Sequence, residues 1–250
     1  MTKKSFNSDA EWLEFRTKYV TASEIASVFG LSKYKSANQL LNEKRTGKRM
    51  DEMSAINSRR GKILEAAAAE TLRLAGRKVI RNTQNDITFI EEYKLAATLD
   101  AMEDGNPVEL KSSSIRKFDK EWRVGNAPVE YLCQGYVQSM VTKGSTEAKL
   151  VCICIREVEP SQVKGYKGIY PVVDVSIAEY VIKRSKHLDN LFIEHLNTFV
   201  YEIDEDSTMY RVSKKTSQKI LDLLLKQTTF IGVEEVAEYK AKSSGGDDIY

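Results

Sequence analysis

The sequence has few cysteines and no long apolar run, and both absences narrow the class of protein. Cys133, Cys152 and Cys154 are its three cysteines. An odd number of cysteines without zinc-ligand spacing favours free thiols that pack as small hydrophobic residues. Three cysteines are also too few for a four-cysteine iron–sulfur cluster. No apolar stretch approaches the roughly 18 residues that a membrane-spanning helix needs, and the polar start has no secretory apolar region. We therefore expect a protein of the cytosol with no membrane partner.

Internal repeats and a Pro/Gly-rich linker are also missing, although the chain has 250 residues. A chain of this length can bury a full core without disulfides or structural metals. Charged residues make up 30% and hydrophobic residues 42%, an ordinary globular mixture. We therefore predict a single α/β domain over residues 1–250, with helices before, within and after a central sheet.

The small net charge of +2 hides an uneven distribution. Residues 1–62 contain 13 Lys plus Arg against 7 Asp plus Glu, which leaves 25 against 29 for residues 63–250. A basic excess near the start could line a phosphate track, although a solvated basic face is its commoner meaning.

Capping signals predict three short helices near the start of the chain. The first follows Ser8 and ends at Arg16, and the second runs from Thr21 to Phe29 before Gly30. The third runs from Ala37 to about Lys44, between Ser36 and Gly47.

Hydrophobic periodicity predicts the remaining elements. A long helix is expected from Ser54 to Gly76, with an inward side formed by Ile56, Ile63, Leu64, Ala67, Ala68, Leu72 and Ala75. Strands are predicted around residues 78–80, 86–90, 95–102, 108–112 and 148–156. Further helices are predicted from Pro128 to Lys143, from Ser176 to Val200 and from Ser217 to Leu225.

The segment Glu109-Leu110-Lys111 carries an acid and a base two residues apart. Side chains alternate between the two faces of a strand, so Glu109 and Lys111 point the same way while Leu110 points into a core. Asp100 ends the preceding apolar run, and Asp104-Gly105 is a turn pair that would fold the two segments into a hairpin.

Such a hairpin would bring Asp100 beside Glu109. Two adjacent carboxylates repel each other, and a divalent cation that prefers hard oxygen ligands removes this repulsion. The pattern therefore predicts a magnesium site. The Lys111 ammonium beside it suits a reaction in which negative charge develops or a water must be oriented, such as phosphodiester hydrolysis. We expect these side chains to be partially solvated. Taken alone, however, an acid and a lysine two apart on a strand more often form an exposed cross-strand ion pair.

This segment is one of several short pieces that follow one another along the chain in a characteristic order and spacing. They are Arg16 with Val20-Thr21-Ala22-Ser23-Glu24, Lys33-Tyr34-Lys35, Gly61-Lys62-Ile63-Leu64-Glu65, Leu99-Asp100-Ala101, Glu109-Leu110-Lys111, and Tyr131-Leu132-Cys133-Gln134 before Gln138. Together they resemble the phage-type alkaline exonuclease family, the YqaJ-like or lambda-exonuclease-like viral recombinases of the PD-(D/E)xK nuclease superfamily. The resemblance covers roughly residues 8 to 156.

The resemblance implies a PD-(D/E)xK restriction-endonuclease-like core, an α/β fold with a central mixed β-sheet flanked by helices. The core would occupy about residues 8–156, followed by a helical extension over about 157–241 and a polar tail over 242–250. No motif of the family is recognisable from residue 157 onward.

The resemblance also implies two Mg²⁺ ions, which Mn²⁺ could replace. Glu65, Asp100 and Glu109 would be metal ligands, with the Leu110 carbonyl completing a site and Lys111 positioning the attacking water. For Glu65 the simpler alternative is a surface acid beside an alanine run.

A second set of residues is implied to contact the DNA substrate: Arg16, Ser23, Lys33, Lys35, Tyr131 and Gln134. Arginine offers paired planar donors to a phosphate, and a serine hydroxyl near a helix start adds one more, which would explain a preference for phosphorylated 5′ ends. A simpler alternative exists for three of these residues: Ser23 would be an ordinary helix-start serine, Tyr131 a core tyrosine and Gln134 an exposed amide.

The implied activity is a magnesium-dependent 5′→3′ exonuclease that degrades one strand of linear double-stranded DNA. The remaining 3′ single strands would pass to a single-strand-annealing recombination protein, and the enzyme would be a homotrimeric ring in the cytosol of a bacterium or phage-infected host. One alternative is a sequence-specific or structure-specific endonuclease of the same superfamily. Another is a non-catalytic DNA-binding or assembly module that kept the fold, but the intact Asp100, Glu109 and Lys111 argue against it.

Overall fold

The computed structural model describes residues 1–47, 52–82, 87–158, 172–205 and 209–236. The strands are β1 (Thr2–Lys4), β2 (Val20–Thr21), β3 (Val79–Arg81), β4 (Ile87–Ile90), β5 (Leu95–Thr98), β6 (Ala101–Glu103), β7 (Asn106–Ser112), β8 (Glu147–Val158), β9 (Val172–Lys183) and β10 (Thr228–Val236). The helices are α1 (Asp9–Lys18), α2 (Ile25–Val28), α3 (Ala37–Thr46), α4 (Glu52–Leu74), α5 (Ile115–Lys117), α6 (Val129–Val141), α7 (Lys186–Asp204) and α8 (Lys214–Gln227). A 3-10 turn, Ala22–Glu24, precedes α2.

The strands form two mixed sheets, which confirms the predicted fold class of an α/β protein with a mixed sheet flanked by helices. The larger sheet has the order β10-β9-β8-β7-β6-β3, in which only the β7–β8 pair is parallel among the described strands. The smaller sheet has the order β1-β4-β5-β2 and includes the parallel pair β2–β5. None of the described helices combines the length and the apolar character that a membrane crossing requires.

The predicted short helices and the predicted hairpin are confirmed. Ser8 caps α1 by accepting the Glu11 N–H at 3.2 Å, and Ser36 caps α3 in a capping box with Gln39. Gly47 ends α3 with φ 63°. Asp104 and Gly105 have φ values of 51° and 80°, as a tight turn between antiparallel strands requires, and they join β6 to β7.

Helices cover the two faces of the larger sheet at β7. Leu110 is buried in a cluster with Ala68, Ala69 and Leu72 of α4. Since side chains alternate along a strand, Glu109 faces the opposite side, where α6 packs against β7 and β8. The sheet therefore carries the Glu109-Leu110-Lys111 segment between two helices.

The main core lies on the α6 side and is rich in aromatic residues. Trp122, Tyr136, Tyr180 and Phe192 are all nearly inaccessible to solvent. The Tyr180 hydroxyl donates to the Trp122 carbonyl at 2.8 Å, so its polar atom is satisfied in the core. Burying large apolar side chains contributes roughly 1.5–3 kcal/mol each, so this cluster, which includes Tyr136 of α6, helps to hold α6 on the sheet.

Two predictions about the later part of the chain are wrong. Residues 176–183 were expected to be helical but belong to β9, and the helix begins only at Lys186. Both faces of β9 carry buried apolar side chains, such as Ile177 on one and Tyr180 on the other, so its apolar residues have no single period that separates a buried strand from a helix. The expected helical extension therefore contains two strands, β9 and β10, that extend the larger sheet.

Two smaller expectations also fail. Residues 95–102 form two strands in different sheets, separated at Leu99-Asp100. Ile63 is 70% exposed instead of inward, because it lies five residues, or about 140° around the helix, from the buried Ala68. The Ile56 side chain and the polar tail lie outside the described residues.

Candidate active site

The candidate site begins where β6 stops pairing with β7. β6 pairs with β7 only as far as Val108, so the Leu110 N–H has no strand partner on that side. The Asp100 Oδ2 atom accepts this N–H at 2.9 Å. The N–H and C=O of one strand residue point to the same edge, so the Leu110 carbonyl also faces the side of Asp100.

Glu109 is fully buried, which corrects the expectation of a partially solvated side chain. Its Oε2 atom accepts a hydrogen bond from Gln138 Nε2 on α6, and its Oε1 atom is ion-paired with Lys111 Nζ. Gln138 Nε2 also donates to the Thr98 carbonyl at 3.2 Å. The amide therefore fixes both the position of the Glu109 carboxylate and the end of β5.

Burial and mutual repulsion dominate the pKa values of the acids in this cluster. Burial, followed by the charge of Asp100, raises the pKa of Glu109 to about 8. Burial also raises the pKa of Asp100, against the opposing influence of Lys111. Burial alone would lower the pKa of Lys111, but the Glu109 and Asp100 carboxylates outweigh it and raise that pKa.

Glu65 of α4 approaches the same cluster. Its side chain is half-buried, and burial together with the charge of Asp100 raises its pKa while Lys111 opposes the rise. Gly61 lies one turn earlier, where an added Cβ would be 3.7 Å from Glu65 Oε1. Glu65 therefore lies near enough to feel the charges of Asp100 and Lys111, and its side chain is partly withdrawn from solvent.

The donor atoms suit a hard divalent cation. The carboxylates and the Leu110 carbonyl supply only oxygen. Among the described residues, the buried Gln138 Oε1 atom accepts no hydrogen bond, and the buried Glu109 Oε1 atom is ion-paired only with the Lys111 ammonium. Within the part of the chain that the structure describes, no group of three or more His, Cys, Asp or Glu side chains has the arrangement of a complete metal site. The residues fit the chemistry of Mg²⁺, and the Lys111 ammonium supplies the positive charge next to Glu109.

Tyr131 and Gln134 lie on the α6 face that leads to Gln138. The Lys111 Nζ is 5.2 Å from the centroid of the Tyr131 ring, and this ring stacks on Trp122 at 5.8 Å. Gln134 is half-buried one turn further along the helix. Both residues therefore sit on the helix that holds the acidic cluster.

Arg16 and Ser23 form a second group. The Arg16 guanidinium donates to Glu24 Oε1 at 2.5 Å, and Ser23 is exposed, with its hydroxyl 3.2 Å from that of Thr21. The 3-10 turn that carries Ser23 packs against α6. The two groups of candidate residues therefore share contacts with one helix.

Glu24 is a buried acid that organises this second group. Lys44 Nζ donates to Glu24 Oε2 at 2.6 Å and also to the carbonyls of Arg16 and Tyr19 at 2.6 and 2.7 Å. Burial alone would raise the pKa of Glu24, but the charges of Lys44 and Arg16 outweigh it and hold that pKa at about 2. The network fixes the Arg16 guanidinium through α3.

The two predicted lysine contacts differ in their surroundings. Lys35 Nζ is ion-paired with Glu43, whereas the Lys33 side chain is exposed and its ammonium lies 5.4 Å from the Tyr34 ring centroid. The Lys33 N–H donates to Glu130 Oε1 at 3.0 Å, at the start of α6.

The sequence alone assigned no role to four residues of these networks: Gln138, Glu24, Lys44 and Arg81. The positive charge of Arg81 on β3 opposes the rise in the pKa of Glu65 and of Asp100, but burial keeps both pKa values raised. The spacing of Tyr131, Gln134 and Gln138 on one helix face could have pointed to Gln138. Nothing local in the sequence indicates the Glu24–Lys44 pair or Arg81.

Comparisons with known proteins identify a family and a fold for this chain. Residues 11–145, more than half of the chain, match the YqaJ-like viral recombinase domain. Two crystal structures of LHK-Exo, an alkaline exonuclease from Laribacter hongkongensis, share the fold, with TM-scores of 0.54 and, for the complex with dAMP, 0.53. Each structure is 20% identical in sequence to this chain, and each alignment spans 86% of this chain and 99% of the LHK-Exo chain. No curated protein sequence matches the chain.

Proposed function

This chain belongs to the YqaJ-like viral recombinase domain family of phage-type alkaline exonucleases, and from that premise we propose that it is a magnesium-dependent 5′→3′ exodeoxyribonuclease. Its substrate would be one strand of linear duplex DNA, degraded to leave a 3′ single-stranded overhang. The observation that carries this proposal is the buried Glu109–Lys111 ion pair, with Asp100 bonded to the Leu110 N–H and Glu65 close enough to feel the charge of Asp100.

Each residue of the cluster has a role that its surroundings support. Glu65, Asp100, Glu109 and the Leu110 carbonyl would hold Mg²⁺. Bound metal ions supply Lewis-acid stabilisation of the attacking and leaving oxygens in an in-line phosphodiester displacement. The Lys111 ammonium would orient the attacking water and offset the negative charge that develops on the phosphate.

The Arg16 group would bind the terminal 5′-phosphate. Glu24 orients the guanidinium through one carboxylate oxygen, and the exposed hydroxyl of Ser23 lies in the 3-10 turn that also carries Glu24. A planar guanidinium and a hydroxyl at a turn suit a phosphate monoester. This pocket would give a preference for phosphorylated 5′ ends.

The product and partners follow from the same proposal. LHK-Exo has been observed in complex with dAMP, and a deoxynucleoside monophosphate is the product class that stepwise removal from a DNA end releases. The 3′ overhang would be taken up by a single-strand-annealing recombination protein. Assembly as a homotrimeric ring would retain duplex DNA in a closed channel between cuts.

Digestion of end-labelled duplexes tests this proposal. With Mg²⁺, a linear duplex should release its 5′ label as a mononucleotide before its 3′ label, while covalently closed circular DNA stays intact. EDTA should stop the reaction, and Mn²⁺ should restore it. A cut circle would favour the endonuclease alternative, and early release of the 3′ label would overturn the polarity.

A further inference from the structure

An exposed tyrosine stands in the segment between α2 and α3. Tyr34 is 69% exposed, and the Lys33 ammonium lies 5.4 Å from the centre of its ring. Single exposed apolar residues are common on protein surfaces, so exposure alone carries no function. The way this segment is held, and what it is held to, distinguish Tyr34.

The backbone around Tyr34 is fixed while its ring remains in solvent. The N–H groups of Tyr34 and Lys35 both donate to the Ser32 hydroxyl, at 3.2 and 3.3 Å. The N–H groups of Leu31 and Ser32 donate to the Ala26 carbonyl at 2.9 and 3.2 Å. An aromatic ring presented on an ordered backbone loses little conformational entropy when it binds a flat ligand.

The segment is anchored to the helix of the candidate active site. The Lys33 N–H donates to Glu130 Oε1 at 3.0 Å, and the next residue of α6 is Tyr131. The Tyr131 ring is 5.2 Å from Lys111 Nζ. Tyr34 therefore projects from a segment that is hydrogen-bonded to α6, one residue before Tyr131 and next to the candidate acidic cluster.

We propose that Tyr34 stacks on the terminal nucleobase of the DNA strand that is being cut. An aromatic ring flanked by a lysine matches the chemistry of nucleobase recognition, in which the ring stacks on the π-face of the base and the cation follows the phosphate backbone. An enzyme that removes the last nucleotide of a duplex must unstack and unpair its base, and a stacking partner beside the site offsets that cost. The inference rests on the proposed exonuclease function.

Substitution of Tyr34 tests the inference without disturbing the core, since the side chain is exposed. We expect Tyr34→Ala to lower kcat/KM on a blunt linear duplex by about 10-fold, or about 1.4 kcal/mol, as the loss of one base–aromatic stack would. Tyr34→Trp should retain at least half of the wild-type value. Tyr201→Ala is the matched control, because Tyr201 is also a tyrosine, is 60% exposed and belongs to α7, which carries none of the candidate residues, so it should have no effect.

A duplex whose 5′-terminal nucleotide lacks its base identifies the stacking partner. On this abasic end, wild type and Tyr34→Ala should differ by less than twofold, because the ring has nothing to stack on. Equal activity of both proteins on the normal duplex would overturn the inference. A tenfold deficit that persisted on the abasic end would also overturn it.

Binding to the same duplexes in EDTA, followed by fluorescence anisotropy, separates this inference from the exonuclease proposal. The ratio of affinities for normal and abasic ends should fall toward one in Tyr34→Ala. If wild type bound ends in this Tyr34-dependent way but cut no DNA, the exonuclease proposal would fail and the Tyr34 contact would stand. If wild type cut DNA but the affinity ratio did not depend on Tyr34, the exonuclease proposal would stand and the Tyr34 contact would fail.

Discussion

At the scale of single residues, the candidate site concentrates charge where the fold gives it little water. Glu109 is fully buried beside Asp100, and its pKa rises to about 8 because of burial and of that neighbouring charge. Burying ionisable groups together costs free energy that an ordinary core avoids. A sequence keeps such an arrangement where chemistry needs it, which is why we assign function to this cluster.

Gln138 is expected to act as a positioning residue for Glu109. Replacing it by Leu keeps the size of the side chain but removes the N–H groups that donate to Glu109 and to the Thr98 carbonyl. Loss of such a supporting contact typically costs 10- to 100-fold in activity or metal affinity. We therefore expect Gln138→Leu to raise the Mg²⁺ concentration for half-maximal cleavage by about 10-fold or more. An unchanged Mg²⁺ dependence would remove this role.

Arg16 offers a second test at this scale. Arg16→Ala should slow cleavage of 5′-phosphorylated ends by roughly 10- to 100-fold, since a hydrogen bond to a charged group contributes about 1.5–3 kcal/mol. Ends with a 5′-hydroxyl should be affected much less, because they lack the phosphate. Single-turnover rates on the two substrates measure the difference, and equal losses on both would place Arg16 outside the phosphate pocket.

At the scale of elements, the position of α6 on the sheet controls the site. Gly135 lets the helix approach closely, since an added Cβ would lie 3.0 Å from Ile182 Cδ1 of β9. The same helix carries Tyr131 and Gln138. A change that lifts α6 from the sheet should therefore weaken cleavage as well as folding.

Gly135→Val tests this coupling. We expect overpacking to reduce the free energy of unfolding by about 1–3 kcal/mol and to lower the cleavage rate measured well below the thermal midpoint. Adding Ile182→Val removes the opposing methyl group and should recover part of both losses. A stability loss with no change in the rate of the folded enzyme would show that the helix position does not control the site.

The short elements could be predicted from the sequence because their signals are local. Ser8, Ser36 and Gly47 each act within one helical turn, and Asp104-Gly105 closes its own hairpin. β9 could not be recognised, because its buried apolar run has no distinguishing period. Its neighbours in the sheet, β8 and β10, decide its conformation.

The candidate site shows the same division. Glu109 and Lys111 could be placed on one face because strand alternation is a local rule. The partner of Glu109 is Gln138, 29 residues away, and the partner of Glu24 is Lys44, 20 residues away. Such pairs depend on how elements pack. The depth of burial of Glu109 was missed for the same reason, because α6 covers it.

At the scale of the whole molecule, an ionic network on the larger sheet joins distant parts of the chain. Arg77, just after α4, pairs with Glu103 of β6 at 2.5 Å and with Glu179 of β9 at 2.9 Å. Lys149 of β8 also reaches Glu103, at 2.7 Å. The hydrogen bond from Arg77, supported by Lys149, holds the pKa of Glu103 at about 2, below its usual 4.5.

Glu103→Gln should therefore change the pH dependence of stability. A depressed pKa in the folded state gives stabilisation that is fully present above pH 4.5 and is lost as the pH falls toward 2. We expect the variant to lose about 3 kcal/mol of unfolding free energy at pH 7, since it breaks a buried ion pair. Urea unfolding from pH 7 to 2 should show the difference shrinking below pH 4.5. Parallel curves would contradict the linkage.

The most direct measurement of the central claim is the rate at which wild type and Glu109→Gln release nucleotides from a 5′-labelled linear duplex in Mg²⁺. Glu194→Gln, an exposed acid on α7, is the matched control. The account predicts a loss of at least about 100-fold for Glu109→Gln, because the substitution removes a carboxylate that we propose binds the metal, and no loss for the control. A folded Glu109→Gln protein that cleaves within a few-fold of the wild-type rate would contradict it.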